Sequence, residues 1–251
     1  MDQRQLNRRA TQVRRGLARI RAQIAEAGGD PDATRIVAVT KGRDRLSAAA
    51  ALAAGLHELG ENYAQELLDK APSLAGARWH FIGNLQANKV RRLAPHVELW
   101  QSVDRSRLLS EIARHSPGAQ ILVQVTEQAT AGRGGCDQAT ARRLVAEAAD
   151  RGLHPVGLMC MALPGGHEAL RRQFRQVRAL ADELALPVRS MGTSGDFTAA
   201  VREGANMLRL GRVLLDDAAA DDPADLPAGS PAGFPADPPA DPPADPPADE
   251  R

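Results

Sequence analysis

The chain has 251 residues, 43% apolar and 25% charged, with a formal charge of +1, two cysteines and no apolar run long enough to span a bilayer. That composition allows one α/β barrel or two small domains with a sizeable core, and it argues against a membrane span, a signal peptide and a disulfide framework. The charge is uneven: residues 216–251 carry nine Asp, one Glu and one Arg, which leaves +10 on residues 1–215.

Leu6, Ala10, Val13, Leu17, Ile20 and Ile24 recur at spacings of four and three with arginines between them, so an amphipathic helix opens the chain and ends at Gly28-Gly29. The regular stripe, with Asp2 and Glu26 in it, reads as a packing helix rather than an Arg-rich transit peptide. Ile36 to Val39 is a largely β-branched run, as expected of a strand covered on both faces. Lys41 follows it. A lysine held beside a buried strand would lose hydration, and the neutral amine could attack a carbonyl carbon. Only three lysines (Lys41, Lys70, Lys89) stand among 29 arginines, and an arginine cannot form an imine.

The pattern then repeats. Helical stretches and apolar segments alternate: a helix over 46–54, a segment at Leu56 to Leu59, a helix opening within 60–66, a strand at Trp79 to Ile82, a helix starting within 83–89, a strand at Val97 to Val103 and a helix from Arg105. The second half continues with strands at 120–126, 154–159, 187–191 and 207–210 and helices at 137–150, 167–184 and 196–203. Eight alternating units predict a single (β/α)8 TIM barrel over 1–215 with an extra N-terminal helix, followed by a disordered acidic Pro/Ala/Asp tail over 216–251. A doubly wound sheet is the alternative, but no Gly-rich dinucleotide fingerprint follows the first strand.

Barrel active sites lie at the carboxyl ends of the strands. Lys41, Asn62, His80, Met159, Ser190, Thr193, Ser194, Arg209, Gly211 and Arg212 all fall there. Some have plainer readings: Asn62 as a helix cap, His80 as a hydrogen-bonded core histidine, Gly211 as a turn residue. Gly192-Thr-Ser-Gly-Asp196 offers hydroxyls and backbone N–H groups before a helix, a setting that suits a phosphate, and Gly211 after the eighth strand offers another donor. A phosphate there and a carbonyl at Lys41 would share one mouth, because strand eight closes on strand one.

Ala38-Val-Thr-Lys41, Gly60-Glu-Asn-Tyr-Ala-Gln-Glu66, Trp79-His-Phe-Ile-Gly-Asn-Leu-Gln-Ala-Asn-Lys89, Gly157-Leu-Met159, Ser190-Met-Gly-Thr-Ser-Gly-Asp196 and Met207-Leu-Arg-Leu-Gly211 together resemble the pyridoxal phosphate homeostasis proteins, over about residues 4–214. The family is similar to the barrel domain of alanine racemase. The resemblance implies pyridoxal 5′-phosphate as cofactor, Lys41 as its aldimine lysine, Ser194 and Gly211 at the phosphate, Arg209 near the pyridine nitrogen, and Asn62 and His80 lining the pocket. It implies a protein that stores or delivers the cofactor, expected as a monomer with apo-enzymes as recipients; Cys136 and Cys160, in no CxxC spacing, suggest a cytoplasmic chain, and arginines spread over helix faces with few aromatics argue against a nucleic acid partner, as the hydropathy does against a membrane one. An arginine at the ring nitrogen disfavours ring protonation and weakens the electron sink that carbanion chemistry needs. Departures from the family pattern are Arg43, Arg133, Arg212 where a threonine is usual, and Leu215-Asp216 where Phe-Gly is usual. The competing readings are an amino-acid racemase or decarboxylase on the same barrel, and a cofactor-free lysine aldolase.

Overall fold

Strand β1 (Arg35–Val39) buries every residue after Arg35, so both of its faces are covered and an unbroken apolar run encodes it. It is followed by β2 (Glu58–Glu61), β3 (Arg78–Phe81), β4 (Val97–Val103), β5 (Gln120–Val125), β6 (His154–Cys160), β7 (Val188–Ser190) and β8 (Met207–Leu210). Each strand pairs in parallel with the next, and β8 returns to β1 with Val37 level with Arg209 and Ala38 level with Leu210, closing the barrel. The computed structural model describes residues 2–127 and 134–216; Arg133 and residues 217–251, on which the expectation of a disordered tail rests, lie outside the described residues.

The connecting helices are α2 (Arg45–Ala53), α3 (Ala64–Lys70), α4 (Val90–Leu93), α5 (Ser106–His115), α6 (Gln138–Asp150), α7 (His167–Glu183), α8 (Phe197–Arg202) and α9 (Arg212–Leu215), with α1 (Gln3–Glu26) ahead of the barrel. Asp44 and Asp137 cap α2 and α6 by accepting from the amides of Ser47 and Thr140, each satisfying a donor that the first helical turn leaves free. Helix α9 is a single turn. Helix α1 buries Val13, Gly16, Ile20 and Ile24 and packs on α2, α8 and α9, so it covers the seam between β1 and β8 where a longer final helix would lie. A Cβ at Gly16 would stand 3.3 Å from the carbonyl oxygen of Leu214, so the small residue admits the close approach.

Two layers of core result. Between strands and helices lies a large cluster that includes Ile20, Ile36, Trp100, Phe174 and Leu208, whereas Val37, Leu99, Leu122, Met159 and Met207 fill the barrel interior. Two elements differ from the sequence expectation. Strand β2 begins two residues late, because Leu56 closes α2: its amide bonds the carbonyl of Ala51, after Gly55 turns at φ 92°. Residues 83–86 are not helical. Leu85 is drawn into the core and its carbonyl accepts from Arg105 Nη2 at 2.6 Å, so the helix starts only at Val90, after a 3-10 turn over Ala87–Lys89.

Candidate functional site

Beyond β1 the chain runs through Thr40, fully buried, into Lys41, which is exposed. The burial expected for Lys41 is therefore absent; among the described residues its amine makes no hydrogen bond or ion pair. Its neighbours are held instead. The Thr40 hydroxyl donates to Glu61 Oε1 at 2.5 Å, the Gly42 amide donates to Glu66 Oε2 at 2.8 Å, and Lys70 Nζ donates to the Thr40 carbonyl at 2.8 Å. Arg43 pairs with Asp216 at 2.5 Å, tying the same loop to the end of α9. A second lysine, Lys70 on α3, thus comes within hydrogen-bond reach of the residue preceding Lys41.

Inside the barrel a polar chain crosses from β8 to β3. Arg209, 3% exposed, donates from Nη1 to the Ser190 carbonyl (2.8 Å) and hydroxyl (2.6 Å), and from Nη2 to the Cys160 carbonyl (2.7 Å) and Met161 Sδ (3.2 Å). All four partners are uncharged. Burial pulls the guanidinium below its ordinary pKa, opposed by the charge of Asp196, yet an arginine keeps its proton in proteins, so a cation stands here whose hydrogen-bond acceptors are all neutral. The Ser190 hydroxyl donates to Gln101 Oε1 at 2.7 Å, and Gln101 Nε2 donates to His80 Nδ1 at 2.7 Å. That bond assigns the proton of neutral His80 to Nε2. Burial holds the imidazole neutral, with its pKa pushed down to about 4, and among the described residues Nε2 is a buried donor without a partner.

The loop after β7 completes the arrangement. Gly192 turns at φ 94°, and a Cβ there would meet Ala200 Cβ at 2.8 Å, so both conformation and space require glycine. Thr193 is fixed by its hydroxyl, which donates to Asp196 Oδ1 at 3.1 Å. The Ser194 hydroxyl accepts from the amides of Gly211 and Val213, both at 3.4 Å, so the donors of the β8–α9 turn converge on one oxygen. Space is open beside Gly195, where a Cβ would touch nothing within 4 Å. Arg212 is exposed, Met159 packs in the barrel's apolar interior, and Asn62 is half-buried. Asn62 does not cap α3, since Tyr63 occupies that position. Gly211 lies against the carbonyl of Val39, 3.3 Å from where its Cβ would be, which puts the Ser194 cluster beside the strand that leads to Lys41.

Residues 14–217 match the family model of the alanine racemase N-terminal domain. A pyridoxal phosphate homeostasis protein of Pseudomonas aeruginosa is 35% identical over 82% of this chain and 94% of its own length. One from Deinococcus radiodurans is 37% identical over 79% of this chain and 96% of its own. The chain belongs to the pyridoxal phosphate homeostasis protein family. Among solved structures, PipY of Synechococcus elongatus with pyridoxal phosphate bound has a TM-score of 0.71 and 29% identity, covering 81% of this chain and all of that one. Set within the family barrel, the sequence-predicted residues divide in two. Ser194 and Gly211 adjoin at the mouth beside the strand that leads to Lys41, and Arg209, Ser190 and His80 are linked through Gln101 in the interior, while Met159 is part of the packing beneath. Gln101, which joins Ser190 to His80, and Lys70, which joins Glu61 to Glu66, were missed. A glutamine inside an apolar strand and a lysine four residues after Glu66 were the signals that could have found them.

Proposed function

We propose that this chain binds pyridoxal 5′-phosphate with Lys41 as its covalent anchor and serves to hold or hand on the cofactor rather than to turn over amino acids. The residues fit the group on three observations. Ser194 stands with two backbone donors beside open space, as a phosphate requires; and, among the described residues, His80 Nε2–H is a buried donor without a partner and Lys41 carries an uncommitted amine above β1. When bound, the cofactor supplies an aldehyde that condenses with a primary amine, releasing water. Ser194 and the amides of Gly211 and Val213 would hold the phosphate, and Arg209 would face the ring.

The observation that carries the reading against catalysis is Arg209. The ring nitrogen of such cofactor enzymes is partnered by a carboxylate or an arginine; a guanidinium whose four hydrogen-bond acceptors are neutral stays cationic, disfavours ring protonation and so weakens the electron sink without abolishing it. Racemisation also needs two groups that exchange a proton on opposite faces. His80 is ill-suited to that task, since its Nδ1 accepts from Gln101 and its pKa lies near 4. The test is to incubate cofactor-loaded protein with a cofactor-requiring apo-enzyme, and separately with D- and L-alanine, serine and ornithine. The expected result is activation of the apo-enzyme and turnover far below about 1 per second, the low end for enzymes. Turnover at enzymatic rates without activation would overturn the proposal.

A further inference from the structure

The buried group on α3 has a geometry that bears on both chain neighbours of Lys41. Lys70 Nζ donates to three acceptors: the Thr40 carbonyl at 2.8 Å, Glu61 Oε1 at 2.7 Å and Glu66 Oε2 at 2.8 Å. An ammonium has three donor hydrogens, so all are used, whereas the planar five-donor fork of arginine could not be satisfied in the same place. That accounts for a lysine at position 70 in a chain that otherwise uses arginine. The side chains are 5% exposed at Lys70 and 0% at Glu61.

Each carboxylate that Lys70 holds then reaches a neighbour of Lys41. Glu61 Oε1 accepts from the Thr40 hydroxyl, and Glu66 Oε2 accepts from the Gly42 amide. The residues on both sides of Lys41 are therefore fixed through one ammonium, while the Lys41 side chain is left unconstrained. A buried ion pair adds little net stability, because desolvating its charges offsets their attraction. Glu61 shows that cost: burial raises its pKa against the opposing bonds from Lys70 and Thr40, and its Oε2 has no partner among the described residues. A costly group that fastens one loop is explained by what the loop must present.

We infer that Lys70, acting through Glu61 and Glu66, is the positioning residue that holds the backbone on both sides of Lys41 so that its amine meets the cofactor aldehyde. This rests on the reading of Lys41 as the covalent anchor. A four-carbon side chain on a loose loop samples many directions; fixing the backbone at Thr40 and Gly42 raises the effective concentration of the amine at one point. The condensation itself is unaltered: the amine nitrogen adds to the aldehyde carbon, and the oxygen leaves as water.

The test separates capture by Lys41 from binding of ring and phosphate. Pyridoxal 5′-phosphate and pyridoxine 5′-phosphate, which carries an alcohol in place of the aldehyde, are titrated into the unaltered chain, Lys70→Met, Glu66→Gln and Lys41→Ala, with borohydride fixation as the covalent readout. For Lys70→Met the expected result is a loss of about tenfold or more in pyridoxal phosphate affinity and slower fixation, with pyridoxine phosphate binding within about twofold of the unaltered chain. Glu66→Gln, which keeps size and loses charge, gives the same split to a smaller degree and decides the matter should Lys70→Met lack a cooperative melt. Equal losses for both ligands, or no loss for either, overturn the inference. If Lys41→Ala loses fixation while Lys70→Met and Glu66→Gln fix the cofactor at the unaltered rate and affinity, the positioning role alone fails. Persistent fixation in Lys41→Ala overturns the reading beneath it as well.

Discussion

His80 shows how a single residue is set by its surroundings. It is wholly buried, accepts from Gln101 and is held neutral, with a pKa near 4 against an ordinary 6.5. Between those two values the unfolded chain binds a proton that the folded chain refuses, so this site contributes stability above pH 6.5 that is lost as pH falls toward 4. The shift is worth on the order of 3 kcal/mol. Glu61, whose pKa burial raises, acts with the opposite sign, but it is common to both proteins when the native chain is compared with His80→Asn. Denaturant titrations of the pair should therefore converge as pH drops from about 6.5 to 4; parallel profiles would contradict the assignment. Histidine and glutamine on neighbouring strands were visible in the sequence, but their pairing was not, because it depends on β3 and β4 aligning His80 with Leu99 across a register shift.

Among the elements, α1 has the clearest structural burden. Its stripe was legible from spacing alone, and Ile20 and Ile24 are 1% and 0% exposed. That the helix replaces a long final helix was not legible, since it follows from the one-turn α9 and the close contact of Gly16 with Leu214. Ile20→Ala should cost about 2–5 kcal/mol, the range for a large-to-small change in a packed core, read as a lower denaturation midpoint; a change below about 0.5 kcal/mol, typical of a surface site, would show that α1 does not seal the barrel. The β7–α8 turn offers a second case. Gly192→Ala meets both a left-handed backbone and Ala200 at 2.8 Å, and a loss of about 1–3 kcal/mol is expected from the strain and overpacking. Pyridoxal phosphate binding should weaken with it, because the same turn carries Ser194. The late start of β2 and the unwound 83–86 segment escaped sequence reading for a common reason: local apolar residues, Leu56 and Leu85, are used for tertiary closure rather than for the periodic element around them.

At the scale of the whole molecule, eight strands were countable in the sequence because most are apolar or β-branched segments that alternate with helical stretches, and barrel closure followed from their number. The ends of those strands gather the residues that the motif analysis singled out, so the mouth was legible as a region. Two features of it were not. Lys41 stands exposed where burial was expected, and a second lysine lies buried beside it, with all its donors engaged. Among the described residues no helix is long and apolar enough to cross a membrane. These features together frame the central claim as a choice among three lysines. Pyridoxal 5′-phosphate is added to the purified chain, the imine is reduced with borohydride, and the pyridoxyl group is located by peptide mass spectrometry. The account predicts one adduct, on Lys41, with Lys70 and Lys89 unmodified; a principal adduct on Lys70 or Lys89, or none at saturating cofactor, would contradict it.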